Sequence, residues 1–210
     1  MTDARETILA RIRSATASGD DASAFAAIPC KYRRAGGLTA EARLHLFVDR
    51  LHDYDANVVE TSADALPRTI ASVLNSHAQK NVIVADGLPT DLLPDGFAFR
   101  TERDASVDDL NHCDGILTLC TVAIASTGTI VLTHGPGEGA RRLTLLPDRH
   151  LCIVRADQIV ETVPEAFDRL VRFATHPLTF ISGPSATADI EMTRIRGVHG
   201  PRFLDVALVR

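Results

Sequence analysis

Short, nearly continuous apolar runs are the feature that most limits what this chain can become. Val82 to Ala85, Ile116 to Leu119, Leu151 to Val154 and Leu204 to Val209 are each four to six residues long. They are too short for helices and lack the strict polar alternation of a strand with one wet face. Runs of this kind mark strands covered on both sides, as in parallel sheets. Segments with helical spacing lie among them. Leu38 to Tyr54 carries Leu44, Phe47, Val48, Leu51 and Tyr54 three or four apart. Pro67 opens a second helix with Ile70, Val73 and Leu74 on its apolar face. Glu165 to Thr175 repeats the pattern with Phe167, Leu170, Val171 and Ala174. Shorter β-type runs stand at Val58-Val59, Phe97 to Arg100 and Ile130 to Leu132. The alternation predicts an α/β domain, a mixed, mostly parallel sheet covered by helices.

The closing stretch, residues 178 to 209, makes a specific topological prediction. An apolar run from Leu178 to Ile181 stops at Ser182-Gly183-Pro184. Ala188, Met192 and Ile195 follow at helical spacing, Gly197 ends the helix, and His199-Gly200-Pro201 turns the chain into Leu204 to Val209. Strand, helix, strand implies two parallel strands in one sheet with a right-handed crossover. The loop at Ser182 to Thr187 then lies at a strand's carboxyl end, where α/β proteins place their sites. The helix that follows suits a carboxylate or phosphate at its N-terminus. Asp189 and Glu191 fall in its first turn and weigh against a strongly anionic ligand there.

At 210 residues there is room for one sizeable domain. We divide the chain into an N-terminal helix and linker-like arm, residues 1 to 37, and an α/β domain, residues 38 to 210. The arm begins with a helix over residues 2 to 17, with Ile8, Leu9 and Ile12 on one side. It ends in a basic patch, Lys31, Arg33 and Arg34, read as a solvated loop that can fold against a partner. A net charge of −5 speaks against nucleic acid. No apolar run reaches membrane-spanning length and the first residues carry mixed charge, so a cytoplasmic protein is expected. Cys30, Cys113, Cys120 and Cys152 form no C-x-x-C pair. Buried reduced thiols are expected, with no iron–sulfur cluster and no cofactor held by this chain.

Three stretches carry candidate chemistry. Thr127-Gly128-Thr129 interrupts a strand pattern, and Gly128 there implies a bulge, a tight bend or a close backbone approach. The threonines are either strand formers or hydroxyls offered to a ligand. Gly135 to Gly139 is too rich in glycine and proline for regular structure. It is either a surface loop or a flap over an anionic substrate, with Arg141 and Arg142 as the bidentate carboxylate binders. It matches neither a phosphate-binding Walker loop nor a dinucleotide fingerprint. For His150 and His199 a structural role, capping a turn through one ring nitrogen, is the more common outcome. Of the two, His199 is the candidate acid–base group. No histidine pair has helical ligand spacing with an acid, so no metal site is expected.

The segment from Ser182 to Glu191, with Gly197-Val198-His199-Gly200-Pro201, resembles the closing motif of the LUD domain, the lactate utilization protein C family. Ile124 to Leu132 and Leu145 to His150 resemble two further motifs, in the family's order. The pattern has an acid where this chain has Ser126, which removes that carboxylate as a base or nucleophile. It often has a basic residue where this chain has Ala186. The resemblance implies the NagB/RpiA/CoA-transferase-like fold. It also implies an accessory role in oxidising L-lactate to pyruvate, with the redox centres on partner proteins, among them iron–sulfur oxidoreductase subunits. A different class of function stands beside it. Other proteins of that fold act on sugar phosphates, acyl-CoA and folates, so the chain would be a small-molecule enzyme or sensor for an anionic metabolite. The expected ligand-binding residues are Thr127, Gly128, Thr129, Arg141, Arg142, Gly183, Ser185 and Thr187. The sequence leaves homo-oligomerisation open.

Overall fold

The computed structural model of the chain describes residues 3–16, 27–29, 31–188, 194–197 and 199–210. They fall into two compact units, Met1–Tyr32 and Arg33–Arg210. The first holds α1 (Ala4–Thr16), which buries no residue. Cys30 and residues 17–26 of the predicted arm lie outside the described residues. The second unit holds everything discussed below.

Its elements run α2 (Ala40–Asp53), β1 (Asn57–Thr61), α3 (Leu66–Ser76), β2 (Asn81–Val84), β3 (Ala98–Thr101), α4 (Val107–His112), β4 (Gly115–Thr118), β5 (Val122–Ile124) and β6 (Thr129–Leu132). They continue with β7 (Arg149–Arg155), β8 (Ile159–Val160), α5 (Val163–Leu170), β9 (Thr179–Ile181), β10 (Ala186–Ala188), β11 (Arg194–Arg196) and β12 (Phe203–Val209). Among the described residues, six strands form a sheet in the order β1-β12-β7-β4-β2-β3, and every neighbouring pair is parallel. A second sheet, β8-β5-β6-β9, is mixed, with β5 parallel to β8 and antiparallel to β6. The α/β class and the mostly parallel pairing are as the apolar runs predict.

Alternation along the central strands divides the core. Leu204, Val206 and Leu208 of β12, with Cys152 and Val154 of β7, face Leu44, Phe47 and Leu51 of α2 and Ala123 and Ile130 of the second sheet. Ala207, Val209, Leu151 and Ile153 face the other way, onto Leu66, Ile70, Val73 and Leu74 of α3. Both faces are dry, which is why these strands read as unbroken apolar runs. Helix starts follow their local chemistry. Thr39 caps α2 through Ala42 N, Pro67 sits in the first turn of α3, and Ser106–Asp109 and Thr162–Glu165 form capping boxes.

The predicted strand–helix–strand at 178 to 209 is overturned. β9 belongs to the mixed sheet, antiparallel to β6, and β12 belongs to the parallel sheet. Between them β10 and β11 pair antiparallel, with Thr187 opposite Ile195. Ala188 and Ile195, read as helical, are therefore in strands. Small and β-branched residues at these spacings satisfy a hairpin as well as a helix, and tertiary pairing decides. Gly197, at φ +82°, follows a strand and does not end a helix. Asp189, Glu191 and Met192 lie outside the described residues. The start of the unit is tied down by two acids, the buried Glu161 and the half-buried Glu165. Arg33 pairs with Glu161, Leu38 N–H donates to Glu161 Oε2 at 2.7 Å, and Gly36 N–H donates to Glu165 Oε1 at 3.1 Å.

Candidate functional site

The split between the sheets leaves a cavity of about 220 Å³ between them. His150 and Leu204, each second in its strand of the parallel sheet, contribute from one side. Residues 179 to 186, running from β9 into the turn before β10, contribute from the other, and His199, Gly200 and Pro201 close it. Arg141 and Thr144 complete the lining. The Leu145–His150 and Ser182–Pro201 motifs thus meet at one place. The Ile124–Leu132 motif reaches it through hydroxyls: Thr127 Oγ1 lies 2.7 Å from Thr129 Oγ1, which lies 2.8 Å from Ser182 Oγ.

Two glycines bring these loops to their positions. Gly128 has φ +57°, and a Cβ there would stand 2.8 Å from the backbone carbon of Arg50 in α2. Gly183 has φ +80°, and its Cβ would stand 2.5 Å from Cβ of Tyr54, the residue that ends α2. Both loops therefore press on the last turn of one helix, where only glycine fits. The Gly128 bend is the tight, close approach its sequence implies. Ser185 then holds the far side: its N–H donates to Pro201 O at 2.8 Å and its Oγ accepts from His199 N at 3.2 Å.

A second, larger cleft of about 660 Å³ opens at the carboxyl ends of β2 and β3, lined by Asp86, Glu102, Arg103, His134, Gly135 and Pro136 together with the 139–142 stretch. The two predicted arginines divide here. Arg142 donates from Nε to Glu102 Oε1 at 3.3 Å and from an Nη to Glu102 O at 3.2 Å. Glu102 is buried and also takes Ala140 N–H at 2.9 Å, so Arg142 neutralises a buried acid that fixes the loop. Arg141 lines both cavities. Its Nη1 donates to Thr144 Oγ1 at 3.0 Å, and it has no carboxylate partner among the described residues.

Of the predicted ligand residues, the first cavity gathers Arg141, Gly183 and Ser185, with His199 beside them. Thr127, Gly128 and Thr129 stand behind it, Arg142 stands in the second cleft, and Thr187 continues into β10.

Sequence reasoning passed over four groups that shape this region. His134 adopts φ +58°, and its ring is held at both nitrogens, Nδ1 2.7 Å from Gly139 O and Nε2 2.8 Å from Thr179 Oγ1. A carbonyl only accepts, so Nδ1 carries the proton, and in the neutral ring Nε2 accepts from the Thr179 hydroxyl. Glu138 is buried and accepts from Thr121 Oγ1, Thr133 N and Thr133 Oγ1, which stitches the glycine-rich loop closed. Glu102 and Ser182 complete the set. The available signal was a lone acid and a histidine inside a glycine-rich loop, residue types that such a loop must anchor if it is ordered.

Beside the first cavity, His150 Nε2 meets Thr118 Oγ1 at 2.7 Å. The Cys152 thiol is pulled down, first by its neighbour Cys120 and, against the cost of burial, by His150 and Thr118. Cys120 is pushed up by its neighbour Cys152 and by burial. Cys152 is 0% exposed, so it meets no ligand as the structure stands. Cys113, Cys120 and Cys152 are free and buried, as their spacing suggests. Among the described residues no cluster of three histidine, cysteine or acidic side chains is placed to hold a metal. Nor is any helix there long and apolar enough to cross a membrane.

Comparison with known proteins places this architecture. The LUD domain matches residues 2–209. Lactate utilization protein C of Deinococcus radiodurans is 46% identical over 169 residues, 79% of each chain. Lactate utilization protein C of Halalkalibacterium halodurans is 31% identical over 160 residues, 69% of each chain. A crystal structure of a DUF162 family protein from Deinococcus radiodurans superposes with a TM-score of 0.73 at 40% identity, covering 83% of this chain and 100% of that one. With the domain match running nearly end to end, this chain belongs to the LUD domain family.

Proposed function

We propose that this chain serves lactate utilization as an accessory component of an L-lactate oxidation system, working with iron–sulfur partner proteins that take up the two electrons released as lactate is oxidised to pyruvate. The observation that carries the reading is its LUD family membership, with the 46% identical relative named lactate utilization protein C. The dispersed cysteines fit a component that leaves electron transfer to its partners. An exposed apolar patch supplies a docking face. Val163, Phe167 and Val171 repeat every four residues along α5 and its continuation, at 37%, 51% and 70% exposure. Phe180 of the edge strand β9 stacks on Phe167 at 5.9 Å. Aromatic side chains grouped this way are the anchors that interfaces favour. Co-expression with the iron–sulfur partners tests the reading. The chain should co-purify with them, and Phe167→Glu with Phe180→Glu should abolish co-purification while the far-UV spectrum stays unchanged. Failure of the unmodified chain to associate, together with full lactate oxidation in its absence, would count against it.

A specific observation favours a second role for the same chain, that of binding a small anionic metabolite. Arg141 faces two cavities without a carboxylate partner among the described residues. None of the described residues lining the first cavity is acidic. A thermal-shift screen of carboxylates and phosphorylated metabolites reads this directly, since a ligand selective for the native state raises the midpoint.

A further inference from the structure

We infer that the cleft at the carboxyl ends of β2 and β3 is a site for the phosphate group of a small phosphorylated metabolite, with Arg103 and Arg141 as its principal cations. This rests on the anionic-metabolite reading above and names both the cleft and the charged group.

Position comes first. Asp86 lies two residues past the end of β2, and Glu102 and Arg103 follow β3 directly. Open parallel sheets bind their ligands outside the carboxyl ends of the strands. The glycine-rich loop is fastened to this end. Gly137 N–H donates to Asp86 O at 2.6 Å, and Leu119 N–H, just past β4, donates to Gly137 O at 2.7 Å.

The free donors come second. Arg103, Arg141 and Arg142 all line the cleft, in a chain whose net charge is −5. Each guanidinium is anchored by part of its donor set. Arg103 Nε donates to Asp86 Oδ2 at 3.2 Å, Arg141 Nη1 to Thr144 Oγ1 at 3.0 Å, and Arg142 Nε to Glu102 Oε1 at 3.3 Å. Among the described residues, both Nη groups of Arg103, Nε and Nη2 of Arg141 and Nη1 of Arg142 have no acceptor. The Arg103 side chain is 81% exposed, which leaves it open to a ligand.

The acids of the lining are already engaged. Asp86 takes Arg103 N–H on one oxygen and Nε on the other, and Glu102 takes Ala140 N–H and Arg142. The surplus is cationic N–H, which suits a group that only accepts. A carboxylate brings one charge and two oxygens, and a single arginine fork satisfies it. A phosphate monoester brings about −1.5 to −2 charges and three acceptor oxygens. Three arginines in one cleft match the second, and the guanidinium fork fits phosphate geometry. Because Asp86 and Thr144 already hold Arg103 and Arg141, less side-chain freedom is lost on binding.

Calorimetry on the full chain, with ribose 5-phosphate, ribose, inorganic phosphate and acetate at fixed ionic strength, tests it. Ribose 5-phosphate should bind about tenfold or more tightly than either ribose or acetate, and inorganic phosphate should displace it. Arg103→Ala and Arg141→Ala should each weaken it about 10- to 100-fold. Arg103→Lys keeps a cation beside Asp86 and loses the fork, so it should weaken binding with the thermal midpoint unchanged. Arg68→Ala, which removes one exposed charge from α3, should leave binding as it is. Indifference of ribose 5-phosphate binding to Arg103→Ala, or acetate binding as tightly as ribose 5-phosphate, overturns the inference yet leaves the anionic-metabolite reading standing. Binding of no anion removes both.

Discussion

Gly128→Ala isolates the contact that aligns the Thr127–Thr129 bend with the cavity. Two costs add. The backbone there has φ +57°, a region that costs a residue with a Cβ about 1–2 kcal/mol. The new methyl would also stand 2.8 Å from the backbone carbon and Cβ of Arg50 and 2.9 Å from its carbonyl oxygen. Carbon pairs rest at ~3.5–4.0 Å, so α2 or the bend must shift by about 0.7–1.2 Å. The neighbour is helix backbone packed through Leu44, Phe47 and Leu51, so it yields poorly, and overpacking of this kind costs about 1–3 kcal/mol. The sum is about 2–5 kcal/mol, or roughly 4–20 °C in melting midpoint for a domain of this size. Urea denaturation of the variant measures it. Gly96→Ala is the control, because Gly96 has φ +90° with nothing within 4 Å and carries the strain without the clash. If the two variants lose equal stability, the clash with α2 contributes nothing and the argument from close approach fails.

Three further outcomes are expected. Phe47→Ala, at a side chain with 0% exposure in the main core, should cost about 3–5 kcal/mol by denaturant unfolding. Glu138→Ala leaves Thr133 N–H buried without its acceptor while the Thr121 and Thr133 hydroxyls still face each other at 3.0 Å, so the loss should be about 1–3 kcal/mol, with faster amide exchange across residues 133 to 139. The Asp109 carboxyl should titrate at about 2 by NMR, held down first by the Ser106 hydroxyl, then by Ser106 N–H and Arg100, and Ser106→Ala should raise that midpoint. Because the folded value lies below the unfolded one near 3.9, this stabilisation is present above pH ~4 and is lost as pH falls towards 2.

Much of the fold was legible because its strands are buried on both faces. Val82–Ala85, Ile116–Leu119, Leu151–Val154 and Leu204–Val209 all fall on strands of the parallel sheet, and α2 and α3 appear where their apolar spacing places them. The second sheet was not legible. Its strands β5, β6 and β9 carry no feature that distinguishes them from members of the first, and β8 is two residues long. Periodicity reports burial and local conformation, not the sheet a strand joins. The same limit explains the closing stretch: the strands at either end were real, and membership in different sheets was invisible. At the cavity, motif residues such as Gly183 and His199 stood out because they sit in turns. Thr179 did not, since its significance lies in its partner His134, 45 positions away.

Arg141 and Arg142 show the limit most sharply, since they are neighbours of identical chemistry. What separates them is Glu102, forty positions earlier. Once the fold buries that carboxylate beneath the loop, it needs a cation as well as the Ala140 N–H, because an uncompensated buried charge is costly. Arg142 meets that need and is thereby part of the loop's construction. Its removal unpairs Glu102 and disturbs residues 139 to 142 before any ligand is considered. Among the described residues Arg141, one residue earlier, bonds Thr144 alone, through contacts that neutralise nothing. Its charge is left over for something that the chain's described residues do not provide. A defect in the Arg142 variant therefore reports on the loop, whereas a defect in the Arg141 variant with stability retained reports on a ligand.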